Sequence, residues 1–249
     1  MSEPTAPVPA VTAPAAAPKT SFWEDLIDIF ISPAAVFRRR ENASPWPIFL
    51  FVVIGFAVIF YATFPAIQPA IDGEFTRNLP KMQAQNPNLT PEMTQKIQNG
   101  IDTWSRYSAG LLAVATLLFN GLLVWLISKL FAAKEGFAAA MLISGYAYLP
   151  RLLGAVISGA IALVVDPTTL NSAAMLTLSP ARFLDPNTAS PFMIALLSRL
   201  DVMIIWETVL LAIGVAVIGK IPKDKAAIFG VVMWIVGGLY ALRNAYILS

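Results

Sequence analysis

Four ionisable residues stand inside long apolar stretches of this sequence: Arg151, Arg199, Asp201 and Glu207. A charge at the centre of a bilayer costs roughly 2.5–3.5 kcal/mol on insertion scales, so such residues face a bundle interior and find partners there. At about 1.5 Å of rise per residue, Arg151 lies about 21 Å from the start of its apolar run. Counted back from Ile218 on the same rise, Glu207 lies about 16 Å deep and Asp201 about 26 Å. Arg151 falls between the two carboxylates in height, and the spacing predicts an interhelical ion pair with Glu207 or Asp201. Arg199, nearer the far edge, is expected to snorkel. A buried pair can fix helix register, or it can line a polar path for an ion, a proton or a lipid headgroup. One basic residue against two acids, with no polar ladder along any single span, weighs toward the first.

Just before Arg151 the chain reads Gly145-Tyr146-Ala147-Tyr148-Leu149-Pro150. Pro150 has no N–H, which frees the carbonyl of Tyr146 four residues back. Tyr146 and Tyr148 carry hydroxyls beside that gap, and Arg151 can cap exposed carbonyls. The arrangement suits a packed kink, or a polar pocket of the kind that broken helices form in transporters; the kink is the favoured reading. Tyr146, Tyr148, Pro150, Arg151, Asp201 and Glu207 make up the candidate intramembrane polar site.

Conventional catalysis finds little to work with. The chain has no cysteine and no histidine, which removes Cys/His zinc sites and Ser-His-Asp or Cys-His nucleophiles. Asp201 and Glu207, six apart on one helix, point about 240° apart at 3.6 residues per turn and cannot share a proton. There is no Gly-rich phosphate loop and no acid-rich metal motif. The expectation is a non-enzymatic protein without catalytic residues, cofactor or metal.

The elements that position these residues follow from composition. Of 249 residues 57% are hydrophobic and 13% charged, about half the charge that a soluble domain of this size carries. Much of the surface therefore faces lipid. A net charge of +2 gives no case for nucleic acid. Apolar runs of spanning length cover Trp46–Phe64, Tyr107–Leu130, Phe137–Val165, a stretch within Phe192–Ile218, and Ala226–Leu242. The fold class is all-α, a polytopic integral membrane protein with five transmembrane helices. Residues 66–106 and 166–190 read as polar loops, although Thr90-Pro91-Glu92 marks a helix start within the first.

Ahead of the spans, residues 1–20 form a Pro/Ala-rich tail of disordered composition with no signal-peptide pattern. Residues 21–45 form a juxtamembrane unit, and residues 46–249 the transmembrane domain. Ser21 and Glu24 make a capping box for a short amphipathic helix. That helix lies along the interface with Trp23 at headgroup level, or docks on the protein's own bundle. Trp23, Arg38, Arg39 and Arg40 are the candidate membrane-surface contacts. Basic residues gather at Arg38–Arg40, Lys129, Lys134, Lys220, Lys223 and Lys225 on one side of the spans, and thin out on the longer loops of the other. The positive-inside rule then puts the N-terminus in the cytoplasm and, after five crossings, the C-terminus outside.

Three pieces in order resemble the Yip1 domain family in its bacterial form. They are Phe30-Ile31-Ser32-Pro33 to Phe37, Gly145-Tyr146 to Pro150, and Asp201 with Ile205-Trp206. The resemblance covers about residues 22 to 245 and implies five transmembrane helices with a cytoplasmic N-terminus, in a bacterial cytoplasmic membrane. Eukaryotic members bind small Rab-type GTPases through their N-terminal part; the short, low-complexity tail here does not carry that role over. The expected function is a scaffold that organises membrane proteins or lipids. The rival is a small transporter or lipid-handling protein that uses the Tyr146/Arg151/Glu207 region. The partners are the bilayer itself and other membrane proteins or lipids.

Overall fold

The computed structural model describes residues 21–248, and the tail of residues 1–20 lies outside them. The described residues form nine α-helices, two single 3-10 turns and no strand. They are α1 (Phe22–Ile31), α2 (Pro33–Arg39), α3 (Trp46–Gln85), α4 (Pro91–Lys129), α5 (Phe137–Ala147), α6 (Leu149–Val164), α7 (Pro191–Ser198), α8 (Val202–Ile218) and α9 (Lys223–Leu248). Helices α3, α4, the α5–α6 pair and α9 are each long and apolar enough to cross a membrane, and α7 with α8 makes a fifth span if that pair, bent by 49°, is counted as one. Their outer faces fit hydrocarbon. Leu50, Ile54 and Val58 form an exposed stripe on α3 at one-turn spacing, a pattern that water would penalise.

The capping box at α1 forms as its sequence indicates. The Ser21 hydroxyl accepts from the Glu24 N–H at 3.2 Å, and the Glu24 carboxylate accepts from the Ser21 N–H at 2.9 Å. Pro33 stops α1 and starts α2, where its fixed φ suits the first turn.

The expected loop over residues 66–106 is largely helical instead. Helix α3 runs 40 residues, about 60 Å, through Pro65, Pro69 and Pro80, and α4 starts at Pro91 behind a Thr90 cap. Two features explain why the prolines do not end α3. Pro65 and Pro69 are four apart, so the carbonyl that Pro69 leaves unbonded belongs to Pro65 and the disruptions share one side. The extension is also tied to α4: Gln68 donates to Asp102 at 3.3 Å and Gln98 donates to Asp72 at 3.0 Å.

The second loop, residues 165–190, has 3-10 turns at Ala173–Leu176 and Pro180–Phe183 and is fastened to α3. Arg77 donates to the Asn171 carbonyl at 2.6 Å, and Glu74 accepts from the Ala173 N–H at 2.9 Å. At Gly73 the Asn171 backbone takes the space that a Cβ would need. Leu170 and Leu176 bury against Ala70 and Ala162. The main core lies where α2, α3, α5 and α8 meet. There Gly214 allows a close approach, since a Cβ would stand 2.6 Å from Ile143 and 3.1 Å from Phe37.

Candidate functional site

Helices α5 and α6 join at Tyr148, where the helix is broken for one residue. Pro150 falls in the first turn of α6, and the Tyr148 N–H turns to the carbonyls of Ser144 and Gly145. Arg151, in the first turn of α6, faces α8. Arg151 Nε donates to Glu207 Oε2 at 2.6 Å. The other Glu207 oxygen accepts from Asn120 of α4 at 3.3 Å. The guanidinium carbon lies 5.9 Å from the centre of the Tyr148 ring. One carboxylate thus joins three helices, and of the two partners that depth allowed for Arg151, Glu207 takes the bond.

Asp201 has a different task. It stands at the break between α7 and α8 and caps α8 through the Met203 N–H at 2.8 Å. Its second oxygen accepts from the Leu178 N–H of the 165–190 loop, also at 2.8 Å. Ser158 of α6 donates to the Leu176 carbonyl two residues away at 2.7 Å. The loop is therefore pinned over the gap between α6 and α8.

Beneath it lies a cavity of about 380 Å3. Tyr148, Arg151, Ser158, Thr177, Ser198 and Asp201 supply its polar lining, and Phe56 and Met203 are among its apolar walls. Arg151 is 34% exposed there while Glu207 is 8% exposed behind it. Arg151 commits Nε to Glu207, and no hydrogen bond to a described residue ties its two Nη nitrogens. A guanidinium has five N–H donors in a planar fork that matches carboxylate and phosphate. A polar, partly charged cavity between apolar helices can therefore receive an anionic or strongly accepting group.

Of the six residues singled out in the sequence, Tyr148, Arg151 and Asp201 line the cavity, Glu207 anchors Arg151, and Pro150 builds the kink. Tyr146 goes elsewhere: it packs edge-on against Phe37 at 6.3 Å, on the side of α1 and α2. Arg199 does not snorkel. It is buried, donates to the Trp234 carbonyl at 2.6 Å, and receives the Trp234 indole N–H on its own carbonyl at 3.1 Å. The helix break turns it inward against α9, where a Cβ on Gly238 would sit 2.9 Å from Arg199 Nε. Asn120, Ser158, Thr177 and Ser198 were not singled out. Asn120 had a usable signal, a lone amide in an apolar run; the other three are too common a type to stand out.

A second charged cluster holds α1 against the end of α2. Asp25 is fully buried. It receives Arg39 at 2.6 Å and also pairs with Arg40, and Arg39 bonds Asp28 at 2.7 Å. The hydrogen bond to Asp25 pushes the Arg39 guanidinium further above its ordinary value. Helix α1 thus turns an acidic face inward. Trp23, Ile27 and Ile31 form its exposed stripe, between 65% and 74% accessible. Of the candidate surface contacts, Trp23 and Arg38 face outward, while Arg39 and Arg40 are held in internal ion pairs.

An all-α bundle with apolar outer faces, broken spans and polar groups gathered inside it is a polytopic membrane protein. Its Yip1 domain extends over residues 27–242, and the chain belongs to that family. No curated protein and no solved structure matches it.

Proposed function

We propose that this chain is a non-enzymatic lipid-handling protein that holds a phosphate-bearing headgroup at Arg151. The observation behind this reading is an arginine with uncommitted donors, 34% exposed in a polar cavity inside a membrane bundle. In hydrocarbon, unused N–H groups need an acceptor, and a phosphodiester offers one in the geometry of the Arg fork. A cavity of about 380 Å3 lies within the roughly 300–1,000 Å3 of ordinary ligand sites. It takes a headgroup and leaves the acyl chains to the apolar outer faces. The cavity shifts weight from the scaffold to the rival reading. The proposed setting is a bacterial cytoplasmic membrane, with the N-terminus inside and the C-terminus outside.

A specific observation still favours scaffolding as the second reading. Helices α3 and α4, 40 and 39 residues long, exceed the roughly 20 residues that a bilayer needs. They extend beyond it as a paired arm on which another protein could dock.

The test is extraction of the protein with its surrounding bilayer, followed by mass spectrometry of bound lipids. Wild type retains a phospholipid that Arg151→Gln loses, while Arg151→Lys keeps part of it. An unchanged lipid complement in a correctly folded Arg151→Gln variant would remove the headgroup role.

A further inference from the structure

A second cavity shares no residue with the first. It is a groove of about 670 Å3 between α8 and α9, open to the outside and bounded at one end by α2. Its walls are small: Ala212 and Ala216 of α8 face Ala227 and Gly230 of α9. Its lining is otherwise almost wholly apolar, with two exceptions in charge. Arg38, from the last turn of α2, and Lys223, the first residue of α9, both border it.

These two cations differ from Arg39, Arg40 and Lys220 beside them. Arg39 and Arg40 pair with Asp25, and Lys220 pairs with Glu41 at 2.7 Å. Neither Arg38 nor Lys223 forms an ion pair with a described residue, and both are exposed. Asp224, the acid next to Lys223, does not border the groove. An apolar furrow along two spanning helices, headed by two unneutralised cations at the membrane boundary, matches an anionic phospholipid. The acyl chain lies along the alanines and the headgroup phosphate meets Arg38 and Lys223.

We infer that the α8–α9 groove is a binding site for an anionic phospholipid of the leaflet on the α1–α2 side, with Arg38 and Lys223 as its headgroup ligands. Small side chains set the width of the groove. Selectivity therefore rests on charge.

The full chain is purified in detergent and titrated by native mass spectrometry with phosphatidylglycerol and, separately, phosphatidylcholine. A basic side chain near an anionic headgroup contributes enough that loss of both lowers phosphatidylglycerol affinity about 30-fold. The Arg38→Gln, Lys223→Gln double variant is expected to show that drop and to lose the wild type's preference for phosphatidylglycerol over phosphatidylcholine. Ala227→Phe fills the furrow without touching the charges, and is expected to weaken both lipids. Equal phosphatidylglycerol affinity in wild type and double variant overturns the assignment, provided that helix content and melting are unchanged. So does wild-type binding of both lipids by Ala227→Phe. A third arm uses the absence of cysteine from the sequence. If Ala227→Cys oxidises to a covalent dimer in membranes, the occupant is a second copy of the chain and the lipid assignment fails.

Discussion

The Arg151–Glu207 pair permits a quantitative test, because its two members are buried unequally. Replacing Arg151 with Met leaves Glu207, 8% exposed, with one amide contact at 3.3 Å from Asn120. Removing one partner of a buried pair costs about 3–5 kcal/mol, since the remaining charge has no compensation. Glu207→Met is milder. Arg151 keeps the cavity, where it is 34% exposed, and the Tyr148 ring, so a lost charged hydrogen bond of about 1.5–3 kcal/mol describes the change. The double Met variant removes both charges together and is expected to cost less than Arg151→Met alone. The coupling then exceeds the whole cost of Glu207→Met, at least about 1.5–3 kcal/mol. The assay is reversible unfolding in bicelles, followed by tryptophan fluorescence on all four proteins. If the two single effects add to the double within about 0.5 kcal/mol, the residues do not act as a unit. If Glu207→Met proves the costlier single change, the assignment of Arg151 to an accessible cavity is wrong. The double variant also separates roles: where it is more stable than Arg151→Met yet has lost bound lipid, the loss points to the headgroup and not to helix register.

Three further outcomes follow from the packing. Asp25→Ala takes the shared carboxylate away from Arg39 and Arg40, and should destabilise the α1–α2 hairpin by about 3 kcal/mol; hydrogen exchange over residues 22–39 should rise while α5 and α8 stay protected. Gly73→Ala drives a methyl into the Asn171 backbone and should loosen the 165–190 loop by about 1–3 kcal/mol, visible as faster exchange at Ala173 and Leu178. A C-terminal alkaline phosphatase fusion should be active and a C-terminal green fluorescent protein fusion dark; the reverse would mean an even number of crossings, with α7–α8 not acting as a span.

How much of this was legible in the sequence depends on where the helix phase could be followed. Caps, run lengths and depth are local quantities, so the capping box at Ser21, the start at Thr90 and the height of Arg151 between Glu207 and Asp201 could all be read. Direction is not local. Counting 100° per residue holds along one unbroken helix, and the 49° bend between α7 and α8 resets it. Tyr146 faces Phe37 and Arg151, five residues on, faces Glu207, about the 140° separation that the count gives. Arg199, at the bend, turns to Trp234. Continuation of α3 through three prolines was hidden differently. Proline marks a likely stop from its own side chain alone, and what held the helix were partners on α4 far along the chain.

The angle between Asp201 and Glu207 shows how a conclusion can outlast its premise. On one continuous helix they point apart and cannot share a proton; in the structure Asp201 lies outside α8 altogether, with extended φ and ψ of −62° and 131°. They remain separate because each is fully engaged: Asp201 by two backbone N–H groups, Glu207 by Arg151 and Asn120. That division also explains why the cavity exists. Backbone groups freed in hydrocarbon must be bonded again nearby, and Asp201 does this for the start of α8 and for the loop in one step. With Asp201 bonded to two backbone N–H groups and Glu207 turned to the back of the cavity, Arg151 is the charged residue there that keeps uncommitted hydrogen-bond donors. The headgroup site proposed above rests on those donors.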